Sequence, residues 1–369
     1  MRGKVGRVVA VLLLITVIIG GGAAAVFYQK DSLAHLYLQK ISGKKTGVQE
    51  VTTSTTKKTV QINRKAVSQQ LKKDQFVGNV AILKNGKLIY QQPYGKDPDK
   101  NEKTKTTKYQ LGDLQNALTA AAIMKLAAKG RLSLDTPVSH YYELNGATSE
   151  MTVGDLMNMT SGLTLDVTPS TELSTDVIPW NLANAVGQGQ GAYSFQTVNY
   201  ALLSGIVAQA AGISYQKYLD KILLQPAGTK QTGFVKSAAA QSKLVPAYSA
   251  DNASKITQDT LFQTMNERLG TGQLYTTAGD LARLTNYMSS SDFLSKKQRT
   301  SGLFEENGDY TGRLARAGGQ LTGEARFSGY ASALAFSSNG QTGVVLMSNY
   351  QVQGDLSKTA QALLEQIND

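Results

Sequence analysis

Tyr109–Leu134 reads YQLGDLQNALTAAAIMKLAAKGRLSL, and the parsing of this stretch decides the fold. Tyr109 and Gln110 have the look of a strand end, Gly112 marks a tight turn, and a helix is expected from about Leu114 to Ala128. Asp113 stands where an N-cap belongs, since a carboxylate there accepts the first free backbone N–H groups and opposes the helix dipole. Ala117, Leu118, Ala120, Ala121 and Ala122 leave the helix body almost free of charge, so it is expected to be buried on most sides. A buried helix that opens directly after a strand is a common mount for a nucleophile. This mount carries an aspartate.

Working outward, residues 77–95 (VGNVAILKNGKLIYQQPYG) alternate apolar positions on both sides of Asn85-Gly86, a strong short hairpin signal. The charged loop KDPDKNEKTKTTK (96–108) then leads into the helix. Beyond it, MTVGDLMNMTSGL (151–163) reads as a short helix with Thr152 as N-cap. YSFQTVNYALLSGIVAQAAG (193–212) has the apolar spacing of another buried helix after Asn199. SYQKYLDKILLQPAG (214–228) continues as an amphipathic helix stopped by Pro226. Residues 270–288 (GTGQLYTTAGDLARLTNYM) read as a glycine-rich turn and strand, then a helix capped near Thr277. GYASALAFSS and TGVVLMSNY flank Asn339-Gly340 as a second hairpin, and Asp355–Ile367 closes the chain as an amphipathic helix. Strands near both termini with helices between them predict an α+β fold. One antiparallel sheet is built from both ends of the chain and flanked by helices, with a mainly helical subdomain.

The chain has 369 residues, 41% hydrophobic and 18% charged, enough to bury a substantial core. It has no cysteine, which removes disulfides, thiolate metal sites and cysteine nucleophiles together. Only two histidines occur, His35 and His140, far apart in sequence, so neither a histidine metal site nor a Ser-His-Asp triad is expected. The net charge of +11 is uneven: residues 76–369 carry 25 basic and 24 acidic side chains, so the excess belongs to the N-terminal region. Nucleic-acid binding by the globular part therefore has no electrostatic support. Val8–Tyr28 is 21 residues without a charge, the length of a membrane-spanning helix, and residues 1–28 read as a signal anchor. The competing reading is a signal peptide cleaved near Ala23-Ala24-Ala25. Residues 29–60, rich in Lys, Thr, Ser and Gln, read as a basic flexible stem, and 61–369 as the folded domain.

The order of these segments resembles the serine β-lactamase and penicillin-binding-protein superfamily, most closely its class C, DD-carboxypeptidase and esterase-like branch. MTVGDLMNMTSGL is similar to the family's ITIRDLLTHTSGL signature. The stretches 118–142, 199–234 and 270–284 resemble its nucleophile helix, the segment after its catalytic tyrosine and its glycine-rich segment. The resemblance covers about Val77 to Ile367 and implies a β-lactamase/transpeptidase-like fold. Family chemistry rests on S-x-x-K, in which serine attacks an acyl group, lysine helps to remove its proton, and backbone N–H groups stabilise the oxyanion.

That frame falls here on Asp113-Leu114-Gln115-Asn116, so Asp113 replaces the serine and Asn116 the lysine. The family's Y-x-N falls on Phe195-Gln196-Thr197, and its Lys/His-x-Gly on Arg316-Ala317-Gly318. Phe195 lacks a hydroxyl and Thr197 replaces the asparagine. Arg316 keeps a positive charge beside Ala317 and Gly318. No serine lies between Tyr109 and Leu132, so a shift of register does not restore a nucleophile. Tyr193 is an alternative hydroxyl donor, but its use would require a strand alternation to shift in register. The other S-x-x-K matches, Ser42–Lys45, Ser54–Lys57 and Ser214–Lys217, fall in the stem or at a helix start, where Ser214 reads as an N-cap.

The uncharged N-terminal span, the extracytoplasmic location that the resemblance implies and the departures from its motifs together lead to the expectation of a membrane-anchored domain that has lost acyl-enzyme chemistry, with no catalytic residue, cofactor or metal. Its groove would be lined by Asp113, Asn116, Phe195, Thr197, Arg316, Ala317 and Gly318, with Arg316, Trp180 and Tyr193 as candidate ligand contacts. Asp113 is expected either to keep a capping role or to pair with Arg316 across the groove; alternatively Arg316 stays free for an anionic group. Candidate partners are a cell-wall peptide, an anionic or D-alanyl-esterified wall polymer, or a protein. Two alternatives stay open: an active carboxypeptidase or esterase that uses other residues, and a structural envelope protein whose groove has become core.

Overall fold

Asn85 and Gly86 both take the left-handed backbone conformation (φ 52° and 70°), which a two-residue turn with the right twist requires. They join β1 (Gly78–Lys84) to β2 (Lys87–Tyr94) in antiparallel register. The computed structural model describes residues 62–144, 150–165, 177–187, 189, 191–235, 237–257, 268–306, 308–350 and 354–368. The expected signal anchor and stem lie outside these residues. Among the described residues no helix is long and apolar enough to cross a membrane.

In chain order the helices that matter here are α1 (Arg64–Lys73), α2 (Gln115–Ala127), α3 (Val153–Asn158), α4 (Val177–Asn184), α5 (Thr197–Ala211), α6 (Tyr215–Leu219), α7 (Ala278–Met288) and α8 (Leu356–Asn368). The remaining strands are β3 (Tyr109–Gln110), β4 (Leu163–Leu165), β5 (Ala185–Gly187), β6 (Gly233–Phe234), β7 (Leu274–Thr276), β8 (Phe304–Glu305), β9 (Leu314–Ala317), β10 (Gln320–Phe327), β11 (Tyr330–Ser337) and β12 (Gly343–Ser348). The main sheet has seven strands in the order β2-β1-β12-β11-β10-β9-β8, so its centre joins the first strand of the domain to the last. Val80 faces Leu346, and Ala333 faces Leu346 from the other side. Among the described residues all ladders are antiparallel except β8 with β9, a parallel pair that the expected all-antiparallel sheet did not include. The expected sheet built from both termini is present.

Strand alternation sorts the core into two layers. Val80 and Ile82 of β1, Ala331, Ala333 and Ala335 of β11, and Val344 and Leu346 of β12 face one way. There they meet Val67 and Leu71 of α1 and Leu356, Ala360, Leu363, Leu364 and Ile367 of α8. The intervening residues Ala81, Leu83, Leu334, Phe336, Val345 and Met347 face the other way, toward a core that includes α2, α5 and α7.

Helix starts follow the local chemistry. Thr152 and Asp155 form a reciprocal capping box at α3, Ser214 caps α6 by accepting from the Lys217 N–H, and Thr277 caps α7 by accepting from the Asp280 N–H. Asp113 does not cap. A 3-10 turn, Gly112–Leu114, precedes α2, and Leu114 at the helix start is already helical (φ −59°, ψ −15°) with no side-chain cap. The Asp113 carboxylate is thereby released for other use. A small second sheet, β3-β7-β6, places Tyr109 opposite Thr276 and Gln110 opposite Tyr275. That pairing draws the glycine-rich segment alongside the start of α2.

The largely exposed loop 96–108 is pinned by Asp97, itself only 3% exposed. Its carboxylate accepts from the Asn349 amide at 2.8 Å and from the Asn101 N–H at 2.9 Å, with the Lys103 ammonium 3.2 Å away. Burial alone would raise the Asp97 pKa, but these hydrogen bonds and the ammonium outweigh it and hold the carboxyl below its ordinary range.

Candidate functional site

Gly112 has φ 64°, and a Cβ there would meet the Phe327 Cβ at 2.9 Å and the Ala325 Cβ at 3.5 Å. Glycine thus lets the turn carrying Asp113 lie directly on β10. The Asp113 side chain, 13% exposed, accepts a hydrogen bond at 2.9 Å from Nη1 of Arg268, whose side chain is 17% exposed. The Arg268 guanidinium also lies over the Phe327 ring at 5.0 Å, so it is clamped between a carboxylate and an aromatic face. Burial pushes the Asp113 carboxyl above its ordinary value, against the opposing pull of Arg268 and Thr271.

Asn116 is fully buried and donates from Nδ2 to the Thr311 carbonyl at 2.7 Å. Gly312 makes that approach possible: with φ 78°, a Cβ on it would sit 2.5 Å from the Asp113 carbonyl oxygen. On the same helix, Gln115 and, one turn further along, Thr119 hold the glycine-rich segment. Gln115 Oε1 accepts from the Leu274 N–H at 2.8 Å, and the Thr119 hydroxyl donates to the Gly270 carbonyl at 2.5 Å. These bonds set the segment that bears Arg268 and Thr271 against the start of α2.

Phe195 stacks on Tyr310, with centroids 5.4 Å apart and planes inclined 23°. Tyr193, 39% exposed, donates its hydroxyl to the Tyr310 carbonyl, and Tyr310, 38% exposed, donates to the Glu324 carbonyl at 2.8 Å. Burial pushes the Tyr310 hydroxyl well up, and the carboxylates of Asp113, Glu324 and Glu305 add to the shift. Thr197 opens α5 half-buried. Two residues on, the Asn199 amide accepts from the Ser161 hydroxyl at 2.5 Å and donates to the Gln196 carbonyl at 3.0 Å. That bond joins the end of the 151–163 signature segment to the start of α5.

Two expectations are corrected. Arg316 is not the partner of Asp113: its guanidinium lies over the Phe304 ring at 4.6 Å on β9, while Arg268 holds the aspartate. Ala317 and Gly318 are exposed at the β9–β10 turn, where Ala317 pairs with Gln320. The strand positions lying against the Asp113 turn belong instead to β10. Ala325 and Phe327 lie against Gly112, and a Cβ on Gly323 would meet Leu114 at 2.8 Å. Arg316-Ala317-Gly318 therefore stand at the end of β9, apart from the β10 positions that contact Gly112. Trp180 stands half-buried in α4. Asp113, Asn116, Phe195 and, at the rim, Tyr193 are tied together through the segment Tyr310-Thr311-Gly312.

Arg268, Thr271, Tyr310 and Gly312 went unsought in the sequence. A charged residue two positions before the 270–272 glycine turn, and two glycines bracketing Asp309-Tyr310-Thr311, were the available signals.

A family model described as Beta-lactamase matches residues 63–367. "Putative penicillin-binding protein PbpX" of Bacillus subtilis (strain 168) is 26% identical over 318 residues, covering 84% of this chain and 80% of that protein. Protein flp of Staphylococcus aureus (strain N315) is 31% identical over 185 residues, covering 46% of this chain and 37% of that protein. Among solved structures, FmtA from Staphylococcus aureus superposes with a TM-score of 0.68 at 19% identity, over 91% of this chain and 96% of that one. A class C beta-lactamase superposes with a TM-score of 0.62 at 20% identity, over 82% and 93%. At these identities the structural likeness is one of fold.

Proposed function

The chain belongs to the Beta-lactamase family, and on that premise we propose that its domain is a non-catalytic, penicillin-binding-protein-like component of the bacterial cell envelope. It would be held at the membrane by residues 1–28 and spaced from it by the stem, binding a wall component or a partner protein without turning it over. The observation that supports this reading is the use made of the two positions where the family carries nucleophile and base. Asp113 is engaged by the Arg268 guanidinium at 2.9 Å, and Asn116 is engaged by the Thr311 carbonyl at 2.7 Å. A carboxylate paired with a guanidinium is a poor nucleophile, and a carboxamide has no basic lone pair with which to take a proton. Phe195, at the relay position, has no hydroxyl to pass one on. Groups that act as a unit fail as a unit, so no partial route through the same chemistry is expected.

The full chain, purified in non-ionic detergent, is expected to remain unlabelled by a fluorescent penicillin. A covalent label that unlabelled penicillin competes away would overturn the proposal. A second reading, in which the groove has become ordinary core, is favoured by the Phe195–Tyr310 stack. The combined variant Asp113→Ser, Asn116→Lys and Phe195→Tyr separates the two. Label regained there marks a groove that still admits ligand, and label still absent from a folded variant marks one that is filled.

A further inference from the structure

The main sheet carries an open edge beside Asp113. β9 pairs only with Gln320, Leu321 and Thr322 of β10, whereas β11 pairs with β10 along its whole length. Among the described residues, Gly323–Phe327 therefore have no strand on the β9 side. These include Ala325 and Phe327, which lie against Gly112. Phe327 faces Tyr330 across the two-residue turn Ser328-Gly329, so that pair closes the hairpin with ladder bonds. Ladder bonds alternate along an antiparallel pair, so Ala325 also bonds to β11, and the N–H and C=O of Glu324 point to the open side. The Glu324 carbonyl is taken there by a side chain of the same molecule: the Tyr310 hydroxyl donates to it at 2.8 Å.

Tyr310 thus reaches both walls of the groove. Its hydroxyl is on β10, while its ring stacks on Phe195, just ahead of α5, with centroids 5.4 Å apart. Between these walls stands Asp113, whose charge helps burial to push the Tyr310 hydroxyl up. The root of the side chain is fixed. Glu305 accepts from the Thr311 N–H at 2.8 Å, Asn116 donates to the Thr311 carbonyl at 2.7 Å, and Gly312 has no room for a Cβ. The tip is held far less firmly. Gly308 and Asp309 before it are exposed, Tyr310 itself is 38% exposed, and its ring is secured by one stack and one neutral hydrogen bond. Contacts of these two kinds each shift a two-state equilibrium by about two- to tenfold, so the ring can leave while its backbone stays in place.

We propose that Tyr310 is an autoinhibitory latch: its side chain lies across the groove from Phe195 to the open edge of β10, and it swings outward to admit a ligand to Asp113. An unpaired strand edge invites pairing by whatever reaches it, and the latch keeps this one occupied until a ligand competes for it. The latch rests on the reading above, in which the groove still binds, and adds its regulation. If the groove were ordinary core, Tyr310 would be packing alone, and its removal would open nothing.

The chain has no cysteine, so Asp113→Cys gives the full chain a single thiol at the floor of the groove. Its reaction with N-ethylmaleimide, in non-ionic detergent at pH 7 and followed by intact mass, reports how often the groove is open. Added to that variant, Tyr310→Phe keeps the stack and loses the bond to Glu324, and is expected to speed labelling about two- to tenfold. Tyr310→Ala loses both contacts and is expected to speed it further, at least about fivefold over Tyr310. Ala333→Cys, in the fully buried layer against α8, supplies a second chain with one thiol that only global opening exposes. There Tyr310→Ala is expected to leave the rate unchanged. Equal rates with tyrosine, phenylalanine and alanine at position 310, or the same acceleration at both thiols, would each overturn the latch. A thiol protected in every variant would also overturn it and mark the groove as core, leaving the absence of turnover standing. Acylation of the unsubstituted chain by a penicillin would instead overturn the proposed function and leave the latch in place.

Discussion

With Arg268 removed, Asp113 becomes a carboxylate that is mostly buried and has no cation beside it. Arg268→Ala is therefore expected to cost about 2–4 kcal/mol at pH 7, whereas Asp113→Asn, which leaves an exposed-edge guanidinium over Phe327, costs about 1 kcal/mol or less. The pH dependence has a definite sign. The folded-state pKa of Asp113 is raised, so its favourable contribution is complete below the pKa of the unfolded carboxyl and is lost as pH rises through the folded value. Urea denaturation should find the Arg268→Ala deficit shrinking between pH 7 and pH 4, as the stranded carboxyl takes up its proton. A deficit that stays constant with pH would show that the pair has no electrostatic role. Asp113 was conspicuous in the sequence because it interrupts an otherwise legible helix start. Arg268 was not, because partners 155 residues apart leave no local pattern by which to find one another.

At the scale of elements, the two Asn-Gly hairpins and the Thr152, Ser214 and Thr277 caps were legible because their chemistry is complete within four or five residues. The short strands β8 and β9 were not, since two and four residues are too few to display a period. With no strand read there, the third motif was placed on Arg316-Ala317-Gly318, which turns out to end β9. The connection between them is pressed against α2 at Gly312, where any Cβ meets the Asp113 carbonyl oxygen. Gly312→Ala is accordingly expected to destabilise by at least about 1–2 kcal/mol, seen as a lowered melting temperature, since neither its φ nor the space admits a side chain. The loop 96–108 depends on one buried carboxylate. The folded pKa of Asp97 is lowered, so its contribution is present above the unfolded carboxyl's pKa and lost as pH falls through the folded value. Asp97→Asn should cost about 1–3 kcal/mol at neutral pH and hasten tryptic cleavage at the loop lysines. Unchanged cleavage would mean that other contacts hold the loop.

Across the whole molecule, α8 closes one face of a sheet to which both ends of the domain contribute strands. Leu363 and Leu364 are fully buried there, alongside Ile367 and Leu356. Deleting residues 356–369 removes at least four large apolar side chains from one layer, at about 2–5 kcal/mol each, more than the net stability of most domains. The truncated chain is expected to show no cooperative thermal transition by circular dichroism; a surviving sharp transition would show that the second layer folds independently. This arrangement was visible in the sequence, because strand patterns at both ends and helical patterns between them admit few other layerings. The central ladder has a consequence for the chain's birth as well as its stability. β1 leaves the ribosome some 260 residues before β12, so at about 5–20 residues per second it waits on the order of 10–50 s for its neighbour. During that interval β1 and β2 form a hairpin whose apolar faces lack their later cover, and the nascent chain has to be kept from strangers until its last strand arrives.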